Sequence, residues 1–164
     1  MMEPCGDNPS GKIPALVLDD GTVLFDSRVI CAYLDTLHDG EKLAPDAGQG
    51  VAGFRAMALE ALGDGIMDAA VLTRYELALR PADKQWADWR DGQMKKVNSA
   101  LDDLEARWMS LLDGPLSIGA ISVGCALGYL DFRFEDMGWR DSRPALAAWY
   151  ASFADRPSMQ ATKP

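Results

Sequence analysis

The sequence predicts a mainly α fold fronted by a short β-β-α segment. Two apolar runs, Ala15 to Leu18 and Thr22 to Phe25, flank Asp19-Asp20-Gly21. That is a β-hairpin pattern, because Asp-Gly favours the positive φ of a tight turn. From Val51 onward apolar residues recur at helical spacing, and no stretch alternates as a strand would. Residues 116–132 (LSIGAISVGCALGYLDF) are apolar on nearly every face, which marks a helix buried among others.

Residues 1–10 are polar and irregular. Pro14 abuts the first strand, where a missing N–H is tolerated at an edge, a strand start or a bulge. The Ile13–Pro14 bond is open to the cis form, which an X-Pro bond resists by only about 0.5–1 kcal/mol. Asp26-Ser27 then opens a helix with Val29, Ile30, Tyr33, Leu34 and Leu37 on one face. The start of that helix presents N–H groups and partial positive charge beside a strand end and a proline-fixed turn. Two readings stand. Asp26 or Ser27 caps its own helix, or the helix start holds the carboxylate of a small anionic ligand. His38, the only histidine, precedes Asp39-Gly40 and is expected to help end the helix. Residues 39–50 carry breakers throughout and read as a linker.

Residues 51 to about 79 form a long helical pattern interrupted by Gly63-Asp64-Gly65. Each mid-helix Gly costs roughly 1 kcal/mol against Ala, so the pair implies a kink, a close helix approach, or room for a ligand or partner subunit. Arg80-Pro81 ends this helix. The next begins at about Ala82, and its Met94, Val97, Leu101, Leu104, Trp108 and Leu111 alternate spacings of three and four, the seam of an antiparallel helical neighbour. Asp102, Asp103 and Glu105 beside that seam read as a solvated face. In residues 116–132, Gly119, Gly124 and Gly128 let neighbours approach, and Ser117 is the expected cap. A last helix carries Leu146, Trp149, Tyr150 and Phe153, with Ser142 as cap and Pro144 in its first turn. Arg156-Pro157 closes it, and the tail is expected to be loose.

Composition narrows the function. Net charge is −9, and Lys95-Lys96 is the sole adjacent pair of basic residues, so a nucleic-acid partner is not expected. No run approaches the apolar length of a membrane span, and no signal peptide is visible. Cys5, Cys31 and Cys125 are scattered and form no Cys-x-x-Cys, which fits buried or inert thiols in a reducing cytoplasm. Cys5 is the expected exposed one. One histidine and three distant cysteines leave no metal-site or Ser-His-Asp pattern.

The string GKIPALVLDDGTVLFDSRVICAYLD, residues 11–35, resembles the second half of the thioredoxin-like domain of glutathione transferases. The strings DGIMDAAVLTRYE and ALGYLDFR resemble the all-helical second domain of bacterial members. The resemblance implies a partial thioredoxin-like β-β-α lobe over residues 1–38, a linker over 39–50 and an all-α C-terminal domain over 51–164. It departs from the family at Ala120, where an acid often completes the capping box begun by Ser117. It implies a cytoplasmic, homodimeric protein that conjugates glutathione to hydrophobic electrophiles, with glutathione as co-substrate and no metal.

The resemblance also assigns residues. Ile13 and Pro14 would meet the cysteinyl moiety of glutathione, Asp26 and Ser27 its γ-glutamyl end, and Lys12 its glycyl carboxylate. Asp64 or Asp68 would reach the neighbouring subunit's glutathione, and Arg74 and Tyr75 would line the electrophile pocket. In the family a strand-helix-strand unit with a thiol-activating Ser, Tyr or Cys precedes the proline. Only 13 residues precede Pro14, without strand or helix pattern, so the expectation is a shortened chain, inactive or weak, with no nameable catalytic residue. Two alternatives stay open. One is a non-catalytic member binding glutathione or a protein partner; the other is a related glutathione-dependent isomerase or reductase.

Overall fold

A computed structural model describes residues 8–43 and 50–163. The chain divides into two compact units, Met1–Asp46 and Ala47–Pro164. Cys5 and residues 44–49 of the expected linker lie outside the described residues.

In the first unit, β1 (Leu16–Val17) and β2 (Val23–Leu24) form an antiparallel hairpin with Leu16 opposite Leu24 and Val17 opposite Val23. Gly21 takes φ +83° in the turn, where a side chain would be strained. The Thr22 amide donates to the Asp20 carboxylate at 2.9 Å, which holds that carboxyl below its ordinary range. Helix α1 (Ser27–Asp35) follows at once. Its expected apolar face is largely open: Ile30 is buried, whereas Val29, Leu34 and Leu37 are exposed. Past the helix end, the Asp35 carboxylate lies 3.0 Å from His38 Nε2 and accepts the Leu43 amide at 3.0 Å, while Gly40 donates to His38 Nδ1. His38 thus organises the chain leaving α1.

The second unit is helical: α2 (Val51–Ala78), α3 (Ala87–Asp103), α4 (Met109–Leu112), α5 (Ile118–Arg133), α6 (Pro144–Ala154) and α7 (Pro157–Ala161). Its core joins Leu59 and Ile66 of α2, Val97 and Leu101 of α3, Leu127 and Leu130 of α5, and Leu146 of α6, all essentially sealed from solvent. Burial of each such side chain stabilises by roughly 1.5–3 kcal/mol. Helix α5 lies along α2, as its apolar composition predicts. A Cβ on Gly119 would lie 2.7 Å from the Ala56 carbonyl oxygen, and one on Gly124 would lie 2.4 Å from the Phe153 ring. Ser117 caps α5 by accepting the Ala120 amide at 3.3 Å.

Six expectations need correction. Gly63 and Gly65 do not interrupt α2, which runs unbroken, and of the readings offered the close helix approach holds at Gly63, which admits the backbone of α5. The helix expected from Ala82 starts at Ala87, because Ala82–Lys84 forms a separate 3₁₀ turn. Between α3 and α4 the seam passes through a π-helical turn, Leu104–Trp108, with one residue more per hydrogen-bonded ring.

The acidic flank of that seam is not merely solvated. Asp102 accepts Arg143 at 2.6 Å, Asp103 accepts the Trp108 indole at 2.7 Å, and Glu105 accepts the Ala145 and Leu146 amides at 3.1 and 2.7 Å. Glu105 therefore caps α6 in place of Ser142, and Arg143 occupies the cap position with Pro144 in the first turn. The expected loose tail carries α7.

Candidate functional site

The hairpin sets the geometry of the first group. Antiparallel pairing brings the start of β1 and the end of β2 to the same end. Pro14 lies two residues before β1 and Asp26 two residues after β2, so both flank this end. Both the Ile13–Pro14 and Phe25–Asp26 peptide bonds are cis. Ile13 is 84% exposed, and Lys12, Pro14, Asp26 and Ser27 are exposed as well.

Asp26 is the cap of α1: its carboxylate accepts the Arg28 amide at 3.1 Å and its carbonyl accepts the Ile30 amide at 3.0 Å. The capping reading therefore holds for Asp26. Ser27 begins the helix, and among the described residues its hydroxyl has no hydrogen-bond partner. A helix start offers N–H donors and partial positive charge, so this end of the hairpin can receive an anionic group.

One organising residue escapes sequence reasoning. Asn8 is almost fully buried; it donates to the Lys12 carbonyl at 2.8 Å and accepts the Ser10 amide and hydroxyl at 2.9 and 2.6 Å. It pins the turn that delivers Lys12 and Ile13. The signal was present in Asn8-Pro9-Ser10, a turn-forming sequence, but not its buried partner.

The second group runs along α2 over about three turns. The Asp64 carboxylate accepts the Ser122 hydroxyl of α5 at 2.7 Å, Asp68 is exposed, Arg74 is half-buried and Tyr75 is exposed. Arg74 and Tyr75 lie close enough to Tyr129 of α5 to act on its phenol, although burial dominates and pushes that phenol up. Cys125 corrects another expectation: it is exposed, because its side of α5 is not covered by the neighbouring helices, while Cys31 is half-buried. Among the described residues no three His, Cys, Asp or Glu side chains converge, and no helix is long and apolar enough to cross a membrane.

Comparison with known proteins bears on this geometry. Residues 3–37 match the family described as glutathione S-transferase, N-terminal domain, and residues 87–152 match glutathione S-transferase, C-terminal domain. The GST-like protein YibF of Escherichia coli K12 is 36% identical over 162 residues, covering 96% of this chain and 77% of that protein. A glutathione transferase family member from Pseudomonas fluorescens Pf-5, solved with bound glutathione, superposes with TM-score 0.93 at 57% identity, over 97% of this chain and 77% of that one. A glutathione S-transferase from Methylobacillus flagellatus KT, solved with glutathione bound, gives TM-score 0.90 at 36% identity, over 98% and 80%. The small lobe with its paired strands and the helical unit are those of a bacterial glutathione transferase-like protein. The chain belongs to the glutathione S-transferase family.

Proposed function

We propose that the chain binds glutathione at the open end of the hairpin and serves its conjugation to hydrophobic electrophiles. The observation that supports this reading is the antiparallel hairpin, whose β1 start and β2 end share one end, flanked by exposed Ile13, Pro14, Asp26 and Ser27. An extended peptide lying along Ile13 gains backbone hydrogen bonds. Its γ-glutamyl carboxylate then meets the start of α1, where the Ser27 hydroxyl and helix amides donate. Lys12, which is exposed, pairs with the glycyl carboxylate. The glutathione bound in the Pseudomonas and Methylobacillus relatives supports the ligand.

The remaining assignments are part of the same proposal. Asp64 or Asp68 reaches glutathione of a partner subunit in a homodimer, and Arg74 and Tyr75 flank the electrophile. Chemistry then requires a donor that stabilises the thiolate at neutral pH. The test is calorimetric titration of glutathione into the full chain, paired with a conjugation assay using an activated aryl chloride. Binding that Ser27→Ala weakens supports the glutathione site. Binding without conjugation fits both the shortened, inactive chain and the non-catalytic reading, and no binding overturns the proposal.

A further inference from the structure

The helical unit contains a cavity of about 580 Å³ between α2, α5, α6 and α7 that none of the glutathione assignments uses. Met67, Phe132 and Met159 give it an apolar wall. Arg140 reaches it, but its guanidinium is bound two-pronged to Asp131 at 2.7 and 2.6 Å, so this charge is already neutralised. Lys163 also lines it, so the cavity combines an apolar wall with one further cation and suits an uncharged apolar molecule that carries a polar carbonyl.

Two reactive groups face it. Cys125 is an exposed thiol on α5. Tyr150 on α6 is 7% exposed, its ring edge-on to Trp139, and among the described residues its hydroxyl has no hydrogen-bond partner. That hydroxyl stands over Gly128, 2.9 Å from where a Cβ would be. Gly128 lies one turn past Cys125, a step of about 5–6 Å along the helix face. A nucleophile and a phenol hydroxyl that opens onto the cavity thus share it, a turn apart.

We propose that this cavity captures neutral α,β-unsaturated carbonyl compounds covalently, Cys125 Sγ bonding the β-carbon while the Tyr150 hydroxyl donates to the carbonyl oxygen. The thiol first loses its proton to solvent. The thiolate pair forms the S–C bond, and the C=C π pair shifts toward oxygen as an enolate, which the Tyr150 hydroxyl stabilises. Water then protonates the α-carbon, so the net change is addition of S–H across the double bond, with no oxidant or reductant. Burial raises the Tyr150 phenol above its ordinary value, which keeps it protonated as a donor.

The test treats the full chain with benzylideneacetone, and in parallel with iodoacetamide, which alkylates thiols without passing through an enolate. Intact mass and peptide mapping locate the adduct and give its rate. The expected result is one enone adduct on Cys125, lost in Cys125→Ser. Tyr150→Phe removes one oxygen, and it is expected to slow the enone reaction about tenfold while leaving the iodoacetamide rate unchanged. In the unmutated chain, the enone-to-iodoacetamide rate ratio at Cys125 is expected to exceed that of N-acetylcysteine by about tenfold. Adduct formation on Cys5 or Cys31 in place of Cys125, equal slowing of both reagents by Tyr150→Phe, or a ratio equal to that of N-acetylcysteine overturns the proposal.

Discussion

Gly63 of α2 and Ser122 of α5 meet without room for a methyl group: a Cβ at position 63 would stand 2.8 Å from the Ser122 carbonyl carbon and 2.5 Å from its Oγ. At the same contact the Ser122 hydroxyl, with its one proton, donates to Asp64 at 2.7 Å, and the Glu60 carbonyl at 3.1 Å is its alternative acceptor. Backbone cannot rotate away as a side-chain tip can. Gly63→Ala is therefore expected to destabilise the helical unit by about 1–3 kcal/mol despite Ala's better helix propensity. Gly65→Ala, with open space around the position, is expected to be neutral or stabilising. Urea unfolding of the two variants checks the contrast, which should appear as midpoint shifts of opposite sign or very unequal size.

The cap of α6 gives a second prediction. Glu105 holds two amides of that helix from forty residues away in sequence, whereas Ser142 makes no capping bond. Glu105→Ala is expected to cost about 0.5–2 kcal/mol, the range of a lost N-cap, and Ser142→Ala close to nothing. Thermal unfolding followed by circular dichroism distinguishes them. Equal losses would return the cap to Ser142.

Alkaline stability follows from two phenols. Burial holds Tyr129 and Tyr150 above the ordinary tyrosine value of 10.0, because phenolate is disfavoured away from water. The unfolded chain therefore releases these protons first. Their stabilising contribution is complete below about pH 10 and is lost as pH rises through the folded-state values. Denaturant midpoints measured across that range should fall with pH, and Tyr150→Phe should flatten the decline.

Several of these relationships were legible in the residues alone, and the reasons are local. Asp20-Gly21 specifies its turn because few residues accept positive φ, and the alternating three-four spacing from Met94 to Leu111 marks the buried seam through Val97, Leu101 and Leu104. Gly119, Gly124 and Gly128 stand out inside an apolar helix and each receives a neighbour. What the residues do not display is the distant partner. Glu105 reads as one more surface acid until α6 is brought to it, and Asp102 likewise until Arg143 arrives. Gly63 looks like a break because propensity counts its cost and not the space it provides. Exposure of Cys125 depends on which faces of α5 the other helices leave open, and the pinning of Lys12 depends on a buried Asn8. At the candidate glutathione site the proline, the turn and the helix start were all visible. Their common end of the hairpin follows from register alone.

The central claim is that the end of the hairpin and the start of α1 together form the seat for glutathione. Its most direct test is a titration of isotope-labelled full chain with glutathione, followed by backbone amide NMR. The account predicts saturable shifts concentrated at Ile13, Ser27 and Arg28, with Ser27→Ala weakening binding about tenfold, as expected for one hydrogen bond to a charged group. Shifts absent from these amides, or an affinity untouched by Ser27→Ala, would contradict it.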